Sequence, residues 1–204
     1  MSRRMSQSEL SDKIIEQQEK TVEISRQAGV DVRALTEEER EAMHKSEITR
    51  EELIERIISK QEDGQSSSET PSAPSQGTQE PAQQPEADSN AALREQLSKL
   101  IAEIYVMEAE YTGWLEKANQ SAIDEFNSLP KSDQTSSNKF NIGMKYLSLA
   151  KDKEKECDAE MSALEAEIRA VLTQLGEPTK LVDEIHSTYL EEKAAKKAYY
   201  LGLH

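Results

Sequence analysis

The chain has 204 residues and a formal net charge of −15, from 40 acidic against 25 basic side chains. A surface this acidic repels phosphate backbones and anionic lipid, so no nucleic-acid partner is expected. Aromatics are 4 % and charged residues 32 % of the chain, with seven glycines and six prolines, which argues against a β-sandwich and for long, partly exposed helices.

The first ten residues are polar and have no apolar core like that of a signal peptide. No later run approaches the about 18 apolar residues of a membrane span. The expectation is a cytoplasmic protein without a membrane span. An N-terminal module over 8–60 reads as two or three short helices. In the first, 8–28, the apolar stripe of Leu10, Ile14, Val22, Ile24 and Ala28 is interrupted by Gln17, Gln18 and Thr21, and Gly29 stops the helix. Thr36 to Glu39 has capping-box spacing and opens the second. Thr49 to Glu52 is another capping box, flanked by Ile48 and Leu53 as a hydrophobic staple, and opens the third. There Leu53, Ile54, Ile57 and Ile58 form one apolar face. So small a set of large apolar residues leaves two outcomes: a small bundle, or a Leu/Ile face that docks on a partner.

Residues 61–90 carry Pro71, Pro74, Pro81 and Pro85 among Ser, Gln and Glu, with alanine as the only apolar side chain. Such a stretch cannot bury enough surface to offset chain entropy, so a disordered linker is predicted. Every Trp, Tyr and Phe lies after it, which places the substantial core in 91–204. The spacing Leu93, Leu97, Leu100, Ile104, Met107, Tyr111, Trp114, Ala118 is a coiled-coil-like heptad. It shifts to Ala122, Phe126 and Leu129 before Pro130 ends the helix. Leu147, Ala150, Glu154, Cys157, Met161, Leu164, Ile168, Val171 and Leu175 repeat the beat in a second helix. Gly176 closes that helix and Pro178 opens a third, with Leu181, Val182, Ile185 and Tyr189 on one face. The predicted fold class is all-α: a long antiparallel hairpin plus a third helix, a small N-terminal helical module, and a linker between them.

Chemistry is sparse. A single cysteine allows no intrachain disulfide or thiolate cluster. Cys157, in the seam, reads as a small buried hydrophobe. His44, His186 and His204 belong to no metal-ligand spacing, and no phosphate-cradling glycine loop occurs. No catalytic residue, metal or cofactor is therefore expected. The acidic runs Glu37–Glu39 and Glu191–Glu192 read as solvated helix faces. Lys193, Lys196 and Lys197 beside Tyr199 and Tyr200 form a possible basic–aromatic patch, or else cations at a helix end with tyrosines packed inward.

Residues 25–60, with the turn Ser46-Glu47-Ile48-Thr49 leading into a capped helix, resemble the three-helix VbhA-type antitoxins that inhibit Fic-domain AMP-transferases. Their inhibitory pattern is Ser or Thr, then Glu four residues later. From Ser25 that position is Gly29, followed by Val30, so no inhibitory residue carries over. The same stretch is similar to SHOCT-like helical modules. Stretches 100–113, 141–161 and 192–204 resemble a helical domain at the C-terminus of many Gram-positive bacterial proteins, which implies a bacterial source and a helical fold. The resulting expectation is a non-enzymatic helical interaction or adaptor protein that binds a protein partner or itself through helix faces, with Leu53, Ile54, Ile57 and Ile58 docking. The alternative is an antitoxin-like regulator whose N-terminal helices inhibit an enzyme.

Overall fold

A computed structural model describes residues 6–58 and 84–202 and is all-helical there: α1 (Gln7–Gln27), α2 (Glu37–His44), α3 (Arg50–Ile58), α4 (Gln84–Ser128), α5 (Ser136–Leu175) and α6 (Lys180–Gly202). Local chemistry sets the helix ends. Three capping boxes open the short helices. Ser6 and Glu9 exchange side chain-to-backbone hydrogen bonds of 2.7 and 3.2 Å, and Thr36–Glu39 and Thr49–Glu52 each do so at 3.0 and 3.2 Å. Gly176 closes α5 in the left-handed conformation at φ +70°, and the Glu177 amide donates to the Leu172 carbonyl at 2.9 Å.

The predicted linker needs a correction at its C-terminal end: Gln84 to Asn90 are the first two turns of α4. Pro85 is tolerated there, because the first turn lacks intrahelical partners for its amides in any case. The rest of the linker reading, 61–83, lies outside the described residues.

The long helices form an up-down-up arrangement. Glu125 of α4 meets Lys145 and Tyr146 of α5, and Arg50 bridges Glu110 of α4 to Glu160 of α5, so these helices are antiparallel. α6 folds back along α5, joined by Arg169–Asp183 at one end and Lys193–Asp158 farther along. The core holds much of the expected seam and more. Leu97, Ile104, Met161, Ile168, Val182 and Ile185 are each no more than 2 % exposed, and so are Ile101, Tyr105, Val106 and Leu172 beside it.

α1, α2 and α3 do not form a separate bundle. α1 lies antiparallel to α6, and α2 and α3 lie on α4. Leu10 and Ile14 pack with Ala195 and Tyr199, while Lys20 reaches Glu191. Farther along α1, the Tyr105 hydroxyl donates to the Gln18 carbonyl and Arg94 donates to the Ala28 carbonyl. α4 is thereby surrounded, and from Ile104 to Ala109 every residue is buried.

The far end of the hairpin is different. No residue from Glu116 to Glu156 is buried. α6 and the start of α1 reach only the near part of this segment: Lys193 and Lys197 pair with Glu154, and Tyr200 and Leu10 line hollows with Asn119.

Candidate functional site

The predicted docking face is occupied by this chain's own α4. Leu53 and Ile57 are 0 % and 1 % exposed, and Ile54 and Ile58 are partly buried against the same core. Arg50, at the start of α3, is fixed by Glu110 and Glu160. The face seen in the sequence therefore holds the N-terminal helices to the scaffold.

The predicted basic–aromatic patch is not a free cationic surface. Lys193 binds Asp158 and Glu154, with the shorter contacts at 2.5 and 2.8 Å, and Lys197 binds Glu154 at 2.6 Å. Lys196 is 3 % exposed and donates to Glu192 at 3.0 Å. Tyr199 and Tyr200 make an edge-to-face pair with centroids 4.9 Å apart and are half-buried. Tyr189 donates to Asp158 at 2.7 Å with its hydroxyl oxygen 3.5 Å from the Cys157 sulfur, and Cys157 is 4 % exposed, with its thiol pKa pushed up by burial. Among the described residues no group of three His, Cys, Asp or Glu is placed to hold a metal ion. His44 lies 3.2 Å from the Ala109 carbonyl and 3.4 Å from Glu116, and His186 lies 2.6 Å from Glu165. His204 lies outside the described residues.

Two concave features stand apart from these contacts. The first is a polar cavity of about 520 Å³ between α1, α2, α4 and α6. Gln18, Glu108, Glu192 and Lys196 form its floor, all at most 5 % exposed. Glu192 corrects the reading of Glu191–Glu192 as a solvated run: Glu191 faces out, but Glu192 is 1 % exposed. Its Oε2 accepts from Lys196, and its Oε1 has no hydrogen-bond partner. Burial, and next the Glu192 charge, push the Glu108 carboxyl well above the usual carboxylate range. Burial opposes the Lys196 ammonium, but Glu192 and Glu108 outweigh it and hold its pKa above the ordinary value. The floor therefore holds one ammonium between two acids, one of them inclined to keep its proton. At the side, Arg40 donates to Glu37 at 3.1 Å and to Gln18 Oε1 at 2.7 Å. Glu116 and the tyrosine pair stand at the mouth.

The second is an apolar groove of about 440 Å³ between α4 and α5 at the exposed hairpin end, lined chiefly by Leu115, Ala122, Phe140, Met144, Leu147 and Tyr200. Phe140 is 66 % exposed, Met144 47 %, and Ile123 and Leu149 45 % each. Tyr200 lines both hollows, so the groove prolongs the line of α6.

Hydropathy hides the polar cavity. On α1, the positions 10, 14, 17–18, 21 and 25 keep helical spacing and all are buried, but from Gln17 onward they are Gln, Thr and Ser. On α6, the stripe 181, 185, 188–189, 192, 195–196 likewise passes from Leu and Ile into Thr188, Glu192 and Lys196. The recoverable signal was the spacing, read without regard to residue type.

Among the described residues no helix is long and apolar enough to cross a membrane. No family model matches the chain, and neither a curated protein nor a solved structure shows a significant match to it.

Proposed function

We propose that this chain is a non-enzymatic helical interaction protein that self-associates through the free end of the α4–α5 hairpin. The observation that carries the reading is the absence of any buried residue from 116 to 156 in a segment bearing Phe140, Met144, Ile123 and Leu149. Phe140 and Met144 line one groove, with Ile123 and Leu149 exposed elsewhere on the same end, and exposed large apolar side chains of this kind mark an interaction surface.

Charge favours a second copy as the occupant. Over 116–128, α4 has three acids, Glu116, Asp124 and Glu125, against one lysine, Lys117. Over 136–151, α5 has three lysines, Lys139, Lys145 and Lys151, and no acid. A two-fold contact that sets α4 of one copy beside α5 of the other matches these signs. It also joins two strongly acidic molecules at an end where their charge is nearly balanced.

Sedimentation velocity on the full chain tests this. The expected result is a dimer at tens of micromolar protein (on the order of 7 kcal/mol of association) that becomes a monomer when Phe140→Glu and Met144→Glu are combined. A wild-type chain that stays monomeric at about 100 µM removes the reading. The regulatory alternative, with the N-terminal helices acting on an enzyme, requires α1–α3 to leave α4 and α6 and expose Leu53 and Ile57.

A further inference from the structure

The self-association reading makes no use of the polar cavity, and the structure gives that cavity properties of its own. Three buried side-chain polar atoms among the described residues have no hydrogen-bond partner: Gln17 Oε1, Arg33 Nε and Glu192 Oε1. Of these residues, Glu192 lines the polar cavity, and Gln17 and Arg33 line neither it nor the apolar groove. An unpaired acceptor on a buried carboxylate is costly, more so than on a neutral group. The cost is removed if the cavity receives a donor.

The sign of that donor follows from the lining. Five acidic side chains, of which Glu108 is inclined to keep its proton, face three cations, which are Arg40, Lys117 and Lys196. Arg40 and Lys196 are already engaged by Glu37 and by Glu192 Oε2, so they offer little to an incoming anion. At the mouth, the Glu116 side chain is 46 % exposed, and the edge-to-face tyrosines present ring surface of the kind that attracts cations. The net charge of −15 enriches cations around the whole molecule. A volume of about 520 Å³ is in the range of small-molecule sites.

We propose that the cavity between α1, α2, α4 and α6 is a binding site for a small aliphatic amine, with one ammonium donating to Glu192 Oε1 at the floor and a second, in a linear diamine, lying against Glu116 and Tyr199 at the mouth. The site needs both halves of the chain, since α1 and α2 form one wall and α4 and α6 the other. Amine binding therefore fastens the N-terminal helices to the scaffold.

Isothermal titration of the full chain with 1,4-diaminobutane is the test, with 1,4-butanediol and sodium phosphate as the neutral and anionic comparisons. The expected result is saturable binding of the diamine alone, with a Kd below about 1 mM and a rise in Tm. Glu192→Gln should weaken binding by about tenfold, since it removes a charged acceptor. Glu116→Gln, at a half-exposed position that leaves the core intact, should weaken it about threefold. No saturable binding by about 10 mM diamine overturns the proposal. Phosphate binding in place of the diamine overturns it too. So does an affinity unchanged by Glu192→Gln, or unchanged by Glu116→Gln should the floor variant not fold.

Discussion

α4 and α5 each run through two regions that share a heptad beat and differ in what surrounds them. In the base, α6 and the three N-terminal helices lie alongside, and residues such as Ile101, Val106 and Ile168 are 0 % exposed. At the far end the beat continues through Ala122, Phe126, Leu129 and Leu147, yet no side chain is buried. A two-helix seam can shade only one face of each helix, whereas full burial needs a third or fourth neighbour. The far end stays helical because both helices are nucleated and held in the base, so extension costs little. Periodicity thus identifies which residues point inward, and the neighbours decide how far they are covered.

The sharpest way to break this contrast is a charge in the base where the N-terminal helices meet α4. Ile57→Asp places an unpaired carboxylate at a position 1 % exposed. The expected loss is about 4 kcal/mol of unfolding free energy in urea, with α3 released from α4. A loss below about 1 kcal/mol would mean that α3 packs loosely and that its apolar face is free for other partners.

Next in size is a gain. Glu108 is buried in the base with its carboxyl pKa raised, first by burial and then by Glu192. An acid whose folded pKa lies above its unfolded value holds more protons folded than unfolded between those two values, so stability falls as pH rises through that window. Glu108→Gln removes this dependence. The variant should be more stable than wild type at neutral pH by about 1 kcal/mol or more, and the advantage should fade as pH drops toward 4. Equal stability at pH 7 and pH 4 would show that Glu108 is ionised in the folded chain and fully matched by Lys196.

Much of the architecture was legible because the sequence uses strong local signals. The capping boxes at Thr36 and Thr49, the Gly176 stop and the seam from Leu97 to Tyr111 each act through near neighbours, and each appears where expected. The partnership between the two halves was not legible. Leu53 and Ile57 announce an apolar face, but nothing local says that the cover is α4, about fifty residues away and beyond the linker. The polar cavity was hidden for a related reason. Gln18, Glu108, Glu192 and Lys196 come from three helices, each looks solvent-facing by residue type, and only their convergence gives them a common environment.

A smaller effect is expected where backbone geometry alone is at stake. Gly176 has φ +70°, and the space that a β-carbon would occupy there is open, so Gly176→Ala meets no clash and isolates the left-handed strain. The expected cost is about 1 kcal/mol, read as a Tm decrease of a few degrees. An unchanged Tm would mean that the α5–α6 turn relaxes without loss.

The smallest expected effect tests the comparison most directly, because it uses one helix and one kind of change. Ile168 and Met144 both lie on α5, the first 0 % and the second 47 % exposed. Truncating each to alanine removes apolar volume of similar size. In the base, the lost packing and the cavity left behind should cost about 3 kcal/mol. At the far end, where Met144 lines the open groove, Met144→Ala leaves no cavity and should cost less than about 0.5 kcal/mol in urea unfolding under dilute, monomeric conditions. At protein concentrations where copies associate, the same substitution should cost more, because the side chain is then covered by the second molecule. A penalty for Met144→Ala that does not change with protein concentration would place its contacts within one chain, and the far end would then be an extension of the core.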